Sequence, residues 1–578
     1  MKRQYISLAA IFLSLGLTAQ TLSKEIVIDR EVEPTLPDVT RISNFPTLMQ
    51  PQAPKSRLPY VDVTAAANTP GMLTTLEPAN GQPAFNVSPY RGYASLGYFP
   101  AYNLGVSAGY AIIAKPTSSL NVWTQFDGYS YDNQYEESLN RNSVTIGADF
   151  SHLFNRRSRL DLSTDFTYNA YNRPWETLDP EHNTTAFNFD AAWSSRLNSV
   201  AYYATAGFNH FGFSGKEIGL SLTPLDAVSQ NIIKLAVGGA YKLNAKSAFT
   251  AHIGFNFVNI SNFNNLEANP MVGGLPTVSP ILTPGKGETM GLITLAPSYR
   301  FVSGSFSTNI GLKAQISTNA DKSFHIAPDI KFNLRPTSTF GATLTFGGGE
   351  HINKLSELYA CNPYMSVGQG FKFSNVPFTA NLALTFGPFY GASIELFGGY
   401  SMANNWFMPD IADVTGDNNV VSVPGRTVYA TMFSPVDLRA VNYGAKFTWK
   451  YNKNIEASIK YSGAPGSYRH SYYLNHDRAR HVLNINASVT PIKPLTIDAS
   501  FELRAGRSLS SQWGATDGEM IKYDLEAANS LNIGATYRFF DWLSVFAKVE
   551  NILGNKAYMY NMLEQQGIHG HIGASLKF

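Results

Sequence analysis

The stretch LTIDASFEL, residues 495–503, puts Leu495, Ile497, Ala499, Phe501 and Leu503 on one set of alternate positions and Thr496, Asp498, Ser500 and Glu502 on the other. Side chains of a β-strand leave opposite faces in turn, so this is a strand with one apolar face and one polar face that carries ionised groups at its middle. The pattern recurs with the same sense. Val144, Ile146, Ala148 and Phe150 oppose Thr145, Asp149 and Ser151; Leu160, Leu162 and Phe166 oppose Asp161 and Asp165. Phe187, Phe189 and Trp193 oppose Asn188 and Asp190, and Leu531, Ile533, Ala535 and Tyr537 oppose Asn532, Thr536 and Arg538.

The connections between these segments alternate as well. Ten short turns (AKPTSS at 114–119, then FNRRSR, RLNSV, KLNAKS, FVSGS, LRPTST, FGPFYG, KYNKN, TPIKPL and FFDWL) alternate with mostly longer polar connections. The longer ones lie near 132–141, 171–184, 213–229, 261–288, 349–375, 403–427, 465–480, 508–529 and 554–567. Ten hairpins and one further segment at each end make about 22 strands, and about 22 residues per strand and connection accommodate the tilted 9–11-residue strands of a membrane barrel.

Composition separates the two architectures that a long meander permits. Only 15% of the 578 residues are charged and the formal net charge is +2, against roughly 25% charged in soluble chains, so a nucleic-acid-binding, collagen-like or disordered chain is excluded. A soluble propeller or solenoid would turn charge outward and repeat a motif, and no repeat is present. A transmembrane barrel turns its apolar face to lipid and its polar face to a wet lumen, and closure pairs every strand edge. The expected fold is therefore all-β, a closed antiparallel barrel over residues 90–578. Aromatic residues at segment ends (Tyr98, Tyr110, Phe154, Tyr168, Tyr461, Phe539 and Trp542) suit girdles at the water boundary.

Lys2 and Arg3, the apolar run Leu8–Leu17 and Ala19 read as a secretory signal over residues 1–20. No later window is long and apolar enough for a membrane helix. Residues 21–89 carry Pro34, Pro37, Pro46, Pro51, Pro54, Pro59 and Pro70, and read as an extended arm, periplasmic or lumenal. The single Cys361 excludes internal disulfides and multi-cysteine centres.

The C-terminal stretch SLNIGATYRFFDWLSVFAKVENILGNKAY, residues 530–558, resembles the last strands of TonB-dependent outer-membrane receptors. Val549, Asn551, Ile552, Leu553, Lys556 and Tyr558 match that family's Asn-apolar-apolar run followed by a basic residue and Tyr. The final segment Ile568–Phe578 also alternates and stops at Phe578, which looks like the recognition aromatic of bacterial outer-membrane barrels. The resemblance implies a barrel of about 22 strands in the outer membrane of a Gram-negative bacterium, inserted by the barrel-assembly machinery. The export segment has the look of Bacteroidetes sequences. One departure stands out: only about 70 proline-rich residues precede the barrel, with no room for the family's folded plug. Lys24–Val32, KEIVIDREV, faintly resembles the TonB-contacting box, so TonB or another periplasmic or surface protein is an expected partner of the arm, which is equally open to a place in the lumen.

The lumen-lining candidates are Asp127, Asp149, Asp161, Asp165 and Asp190 on early strands and Lys313, Lys331, Lys446, Lys460, Arg504, Arg538 and Lys548 on later ones. Opposed charge lines orient a polar solute, or the groups pair with one another in a filled lumen. Residues 468–481, YRHSYYLNHDRARH, offer Arg469, Arg478 and Arg480 with neighbouring tyrosines to an anionic glycan or headgroup, or form a solvated loop. Asp413, Asp417 and Asn419 do not match a calcium loop, and His569 and His571 lack a locatable third ligand, so no metal site is expected. No nucleophile elbow, HExxH or phosphate loop is present, and neither an enzyme nor a cofactor is expected. The functional expectation is transport or reception of a polar solute across the outer membrane, the alternative being a non-transporting barrel subunit of an outer-membrane assembly. Fractionation tests the shared premise: the mature chain should sediment with membranes and dissolve only with detergent, and a freely soluble chain would end this reading.

Overall fold

In a computed structural model of the protein, the described residues are 89–578. Exceptions are residue 101, residues 155–156 and stretches within 134–137, 173–180, 216–227, 262–286, 319–322, 362–370, 412–430, 465–478, 512–520 and 561–562. The signal segment, the proline-rich arm as far as residue 88, and Asp413, Asp417, Asn419 and Arg478 lie outside the described residues.

The main sheet contains 24 strands, and two of them are short additions to the wall. Ser366–Val367 runs parallel to Met432–Phe433, and Gly466–Arg469 continues the strand Ile455–Gly463 along the same neighbour. The remaining 22 form one antiparallel meander in which the first strand, Gly92–Phe99, pairs on one side with Asn103–Lys115 and on the other with the last, His569–Lys577. The sheet is a closed barrel. No described helix is long and apolar enough to cross a membrane.

Register keeps the two faces separate from strand to strand. Leu495–Ala505 sets Ile497 opposite Ala535, Ala499 opposite Ile533 and Phe501 opposite Leu531, while Asp498 faces Gly534 and Ser500 faces Asn532. A slip of one residue would turn every charged group into the hydrocarbon, so the pattern itself pins the register. The apolar set is the exposed one: Ile146, Leu235, Ile253, Leu312, Ile326 and Ile533 stand on the outside.

Ten tight turns join the strands at one rim, at the ten places where the sequence carries its short connections. Asn198, in the two-residue turn between Leu197 and Val200, has φ +50°, and Tyr390 and Gly391 have φ +51° and +82°. Positive φ at such positions matches the turn twist to the strand twist. The opposite rim has eleven connections, among them Phe99 to Asn103 and Ser317 to Phe324, which the nine longer stretches read from the sequence do not include. Length alone concealed these two, because their flanking strands carry the alternation to the very edge. The seam closes at the short-turn rim. The carbonyl of Phe578 accepts bonds from the amides of Arg91 and Gly92, both 2.7 Å, and its ring stacks on Tyr110 with centroids 6.2 Å apart. A Cβ on Gly92 would stand 2.5 Å from that ring, so glycine is what lets the terminal aromatic lie over the first strand.

Neighbouring positions test the facing. Ile146→Arg, on the outer face near mid-strand and 55% exposed, is expected to lose about 2–4 kcal/mol in reversible unfolding from lipid, whereas Thr145→Arg, facing inward, should lose little.

Candidate functional site

The polar faces enclose the lumen, and its early wall is acidic. On adjacent strands Asp149 pairs in register with Ser163 and Ser163 with Asp190, while Asp161 and Asp165 flank Ser163 two residues to either side. Four of the five expected aspartates therefore meet on one patch. The Trp123 indole donates to Asp149 at 3.0 Å, Arg159 pairs with Asp161 at 2.8 Å and the Asn188 amide donates to Asp165 at 2.8 Å. A cavity of about 330 Å³ opens among Asp149, Arg159, Asp161 and Asp190. Asp127 sits apart, bonded to Gln125 at 2.6 Å; it and His571 both approach Gly105.

The later wall mixes its charges. Glu395, Lys446 and Lys460 occupy one row across three strands, with the Lys460 ammonium 5.8 Å from the centre of the Phe397 ring. Arg504 pairs with Glu502 at 2.5 Å and Lys548 with Glu550 at 2.6 Å, and Glu550 also lies 3.4 Å from His569. Lys313 donates to the carbonyl of Gly348 at 3.2 Å, Lys331 stands in register with Asn309 and Thr345, and Arg538 reaches the Lys493 carbonyl at the short-turn rim at 3.4 Å. The sequence reading did not enter Glu395, Glu502 and Glu550 among the lumen candidates, although each occupies the same strand parity as its lysine or arginine. Charge contrast across the lumen thus comes chiefly from the acidic patch.

The connection near 349–375, read from sequence as one of the longer polar connections, holds an apolar inner segment. Its helix Leu355–Cys361 presents Leu355, Leu358 and Tyr359 on one face, at the spacing that brings helical side chains together. These residues, with Phe371, Phe373 and Phe407, form one buried cluster with Tyr171, Phe211, Phe213, Val228, Ile232, Val258, Ile260, Met290 and Leu292. The strand residues of that cluster have the inward parity: Ile232 alternates with exposed Ile233, and Val258 with exposed Phe257. The loop-side ends of several strands are therefore apolar on both faces, which is the readable mark of something packed inside, and the two-faced reading passed over it. Polar bonds fix the segment. Gln230 accepts from the Leu355 amide and donates to the Asn353 carbonyl, both at 2.8 Å; Asn353 donates to the Lys372 carbonyl at 2.6 Å, and the Tyr171 hydroxyl to the Pro363 carbonyl at 2.7 Å.

Asn551, in the C-terminal motif, is a structural hub. It is buried, adopts φ +50°, and its side-chain amide donates to the carbonyls of Asn555 and Gln566, both at 2.8 Å. Val549 faces outward, Lys556 lies near Gly567, and Tyr558 enters a two-strand ladder opposite Glu564. Arg469 ends the short strand that pairs with Asp437–Ala440, and the Arg480 carbonyl accepts from the Ala464 amide at 3.0 Å. Among the described residues no three His, Cys, Asp or Glu side chains are grouped to hold a metal ion.

Comparison with known proteins places the fold. No family model and no curated protein sequence matches the chain. Solved structures do. A double mutant of the ferric enterobactin receptor PfeA from Pseudomonas aeruginosa aligns over 85% of this chain and 80% of its own, with a TM-score of 0.62 and 12% identity. The siderophore receptor PirA from Acinetobacter baumannii gives the same coverages and TM-score at 10% identity. The FrpB iron transporter from Neisseria meningitidis aligns over 85% of this chain and 82% of its own, with a TM-score of 0.63 and 10% identity. At these identities the shared property is the fold, a closed antiparallel barrel.

The inner segment should detach without loss of the wall. Leu358→Asp leaves an unpaired charge in a dry cluster, and core truncations of this size cost about 2–5 kcal/mol. Protease accessibility around 352–373 should rise while the thermal transition of the barrel persists.

Proposed function

We propose that this chain is an outer-membrane receptor or transporter of Gram-negative bacteria that takes up a polar solute through a lumen obstructed from within. The observation that carries the reading is the inner segment, residues 352–361 with Phe371 and Phe373: a 22-strand wall encloses polar faces, yet helix Leu355–Cys361 rests across apolar patches of the inner wall. A purely structural barrel has no use for a closure built to rest on its own inner surface. Passage follows when this segment leaves its apolar seat. The acidic patch of Asp149, Asp161, Asp165 and Asp190 then favours cationic or hydroxyl-rich solutes over anions, because lumenal carboxylates in a narrow low-dielectric wall focus a negative potential.

The iron and siderophore specificities named for PfeA, PirA and FrpB belong to those proteins; the solute class proposed for this chain rests on its own lining. The wall begins at the short-turn rim with Gly92. We assign the arm to the periplasmic side, with Lys24–Val32 as its contact for TonB or another energy-coupling partner. Phe578, at the same rim, is the proposed handle for the barrel-assembly machinery. Arg469 and Arg480 on the opposite rim, with Arg478 between them in sequence, are the proposed first contact for an anionic group of the environment.

Planar-bilayer conductance tests the proposal. The full chain should pass little current. Loss of the inner latch, by Gln230→Ala combined with Leu358→Asp, or of residues 21–89, should raise conductance severalfold with cation preference. Adding Asp149→Asn and Asp190→Asn should reduce that preference. If every variant is silent while partner proteins co-purify, the barrel is an assembly subunit.

A further inference from the structure

The wall has a local break. Phe324–Thr337 is laddered to Phe340–His351 only from Ile330 opposite Phe346 down to the turn. Above that level Phe324–Asp329 keeps its partners on Phe306–Ser317, whereas Gly347–His351 is laddered only to Ser374–Phe389. The cause is Gly347-Gly348-Gly349. The register shifts there, and Gly349 has φ +114°, which residues with a Cβ rarely adopt. A Cβ on Gly348 would stand 2.6 Å from the Val376 carbonyl and 3.1 Å from the inward-facing Ala327 side chain; one on Gly349 would meet Gln315 Oε1 at 2.3 Å. The strand end therefore steps inward behind its neighbour. Gln315 accepts from the Glu350 amide at 2.7 Å, holding the displaced end.

The break opens a cavity of about 600 Å³, a size typical of small-molecule sites. Its outer lip is Phe324 and Ile326, which are 56% and 62% exposed on the lipid-facing side. Its floor is polar and preorganised: His325 Nε2 lies 2.6 Å from Glu350 Oε1, and Asn375 bonds Glu350 at 2.9 Å and His325 Nδ1 at 2.8 Å. Asn404, Asn405 and Asp437 close the far side, at the loop-side ends of the next two strands. Apolar lip and polar interior meet at the upper edge of the outer apolar band. An unladdered strand edge facing hydrocarbon is costly, so a break at this level implies polar company for it.

We propose that this cleft is a lateral binding site for a single amphiphile from the surrounding leaflet. Its hydrocarbon lies over Phe324 and Ile326, and its neutral, hydroxyl-bearing head among Asn375, Asn404, Asn405 and Asp437. Hydrogen bonding selects the head: the carboxamides and the Asp437 carboxylate together suit hydroxyl groups that both donate and accept, and Asp437 disfavours a phosphate among them.

The test uses the full chain in nanodiscs and radiolabelled dodecyl maltoside as the probe. One saturable site per barrel is expected, weakened at least tenfold by Asn404→Trp, which fills the exposed side of the cleft, and by Asp437→Ala, with thermal transitions unchanged. Should Asn404→Trp not fold, Asp437→Ala alone decides. Non-saturating uptake, unchanged binding in the folded variants, or displacement by dodecyl phosphate more effective than by octyl glucoside would each overturn the proposal. Because binding is read without conductance, failure here leaves the transport reading standing, and a silent pore leaves this one.

Discussion

Every backbone amide and carbonyl that crosses hydrocarbon needs a protein partner, since no water is there to supply one. For a chain of strands the only complete answer is a ring, and here the ring closes where Tyr93–Tyr98 runs antiparallel to Ile572–Lys577. The rest of the architecture follows. Closure assigns one face to lipid and the other to the lumen, and alternation carries that assignment around all 22 strands. Phe578 and Gly92 complete the seam together, one supplying a ring and a carbonyl, the other the space beneath them.

The inner face is free to be polar, and where it is not, it has something to bury. The acidic patch around Ser163 sits on a wetted part of the wall, whereas Phe211, Phe213, Val258, Ile260 and Met290 form a dry seat for the segment bearing helix Leu355–Cys361. The two environments make different demands. Carboxylates in the lumen cost little because water and neighbours such as Trp123, Arg159 and Asn188 attend them. The seat holds its segment by apolar burial, steered by the paired bonds of Gln230. Part of the inner wall is thereby covered with few charges.

The same constraint explains why this break lies near the rim. Three successive glycines remove the side chains that would keep Gly347–His351 in line, and the freed edge is met by the side chains of Gln315 and Lys313. At mid-membrane such a break would leave ladder groups facing acyl chains; at the edge of the apolar band it makes a compartment with a greasy lip and a polar floor.

Alternation and turn chemistry are local, so residues such as 495–503 and the ten short turns were enough by themselves to determine the class of fold, the strand number and which face meets lipid. The strand parity of the named aspartates, lysines and arginines is legible for the same reason. Which of those groups meet depends on register across strands distant in sequence, as with Asp149, Ser163 and Asp190, and on partners such as Glu395 and Glu550 that no spacing ties to their lysines. The inner placement of helix Leu355–Cys361 and the cleft above Ile330 were likewise decided only in three dimensions. Burial of a loop and parting of two strands are properties of the closed ring, whose curvature brings together residues that the sequence holds hundreds of positions apart.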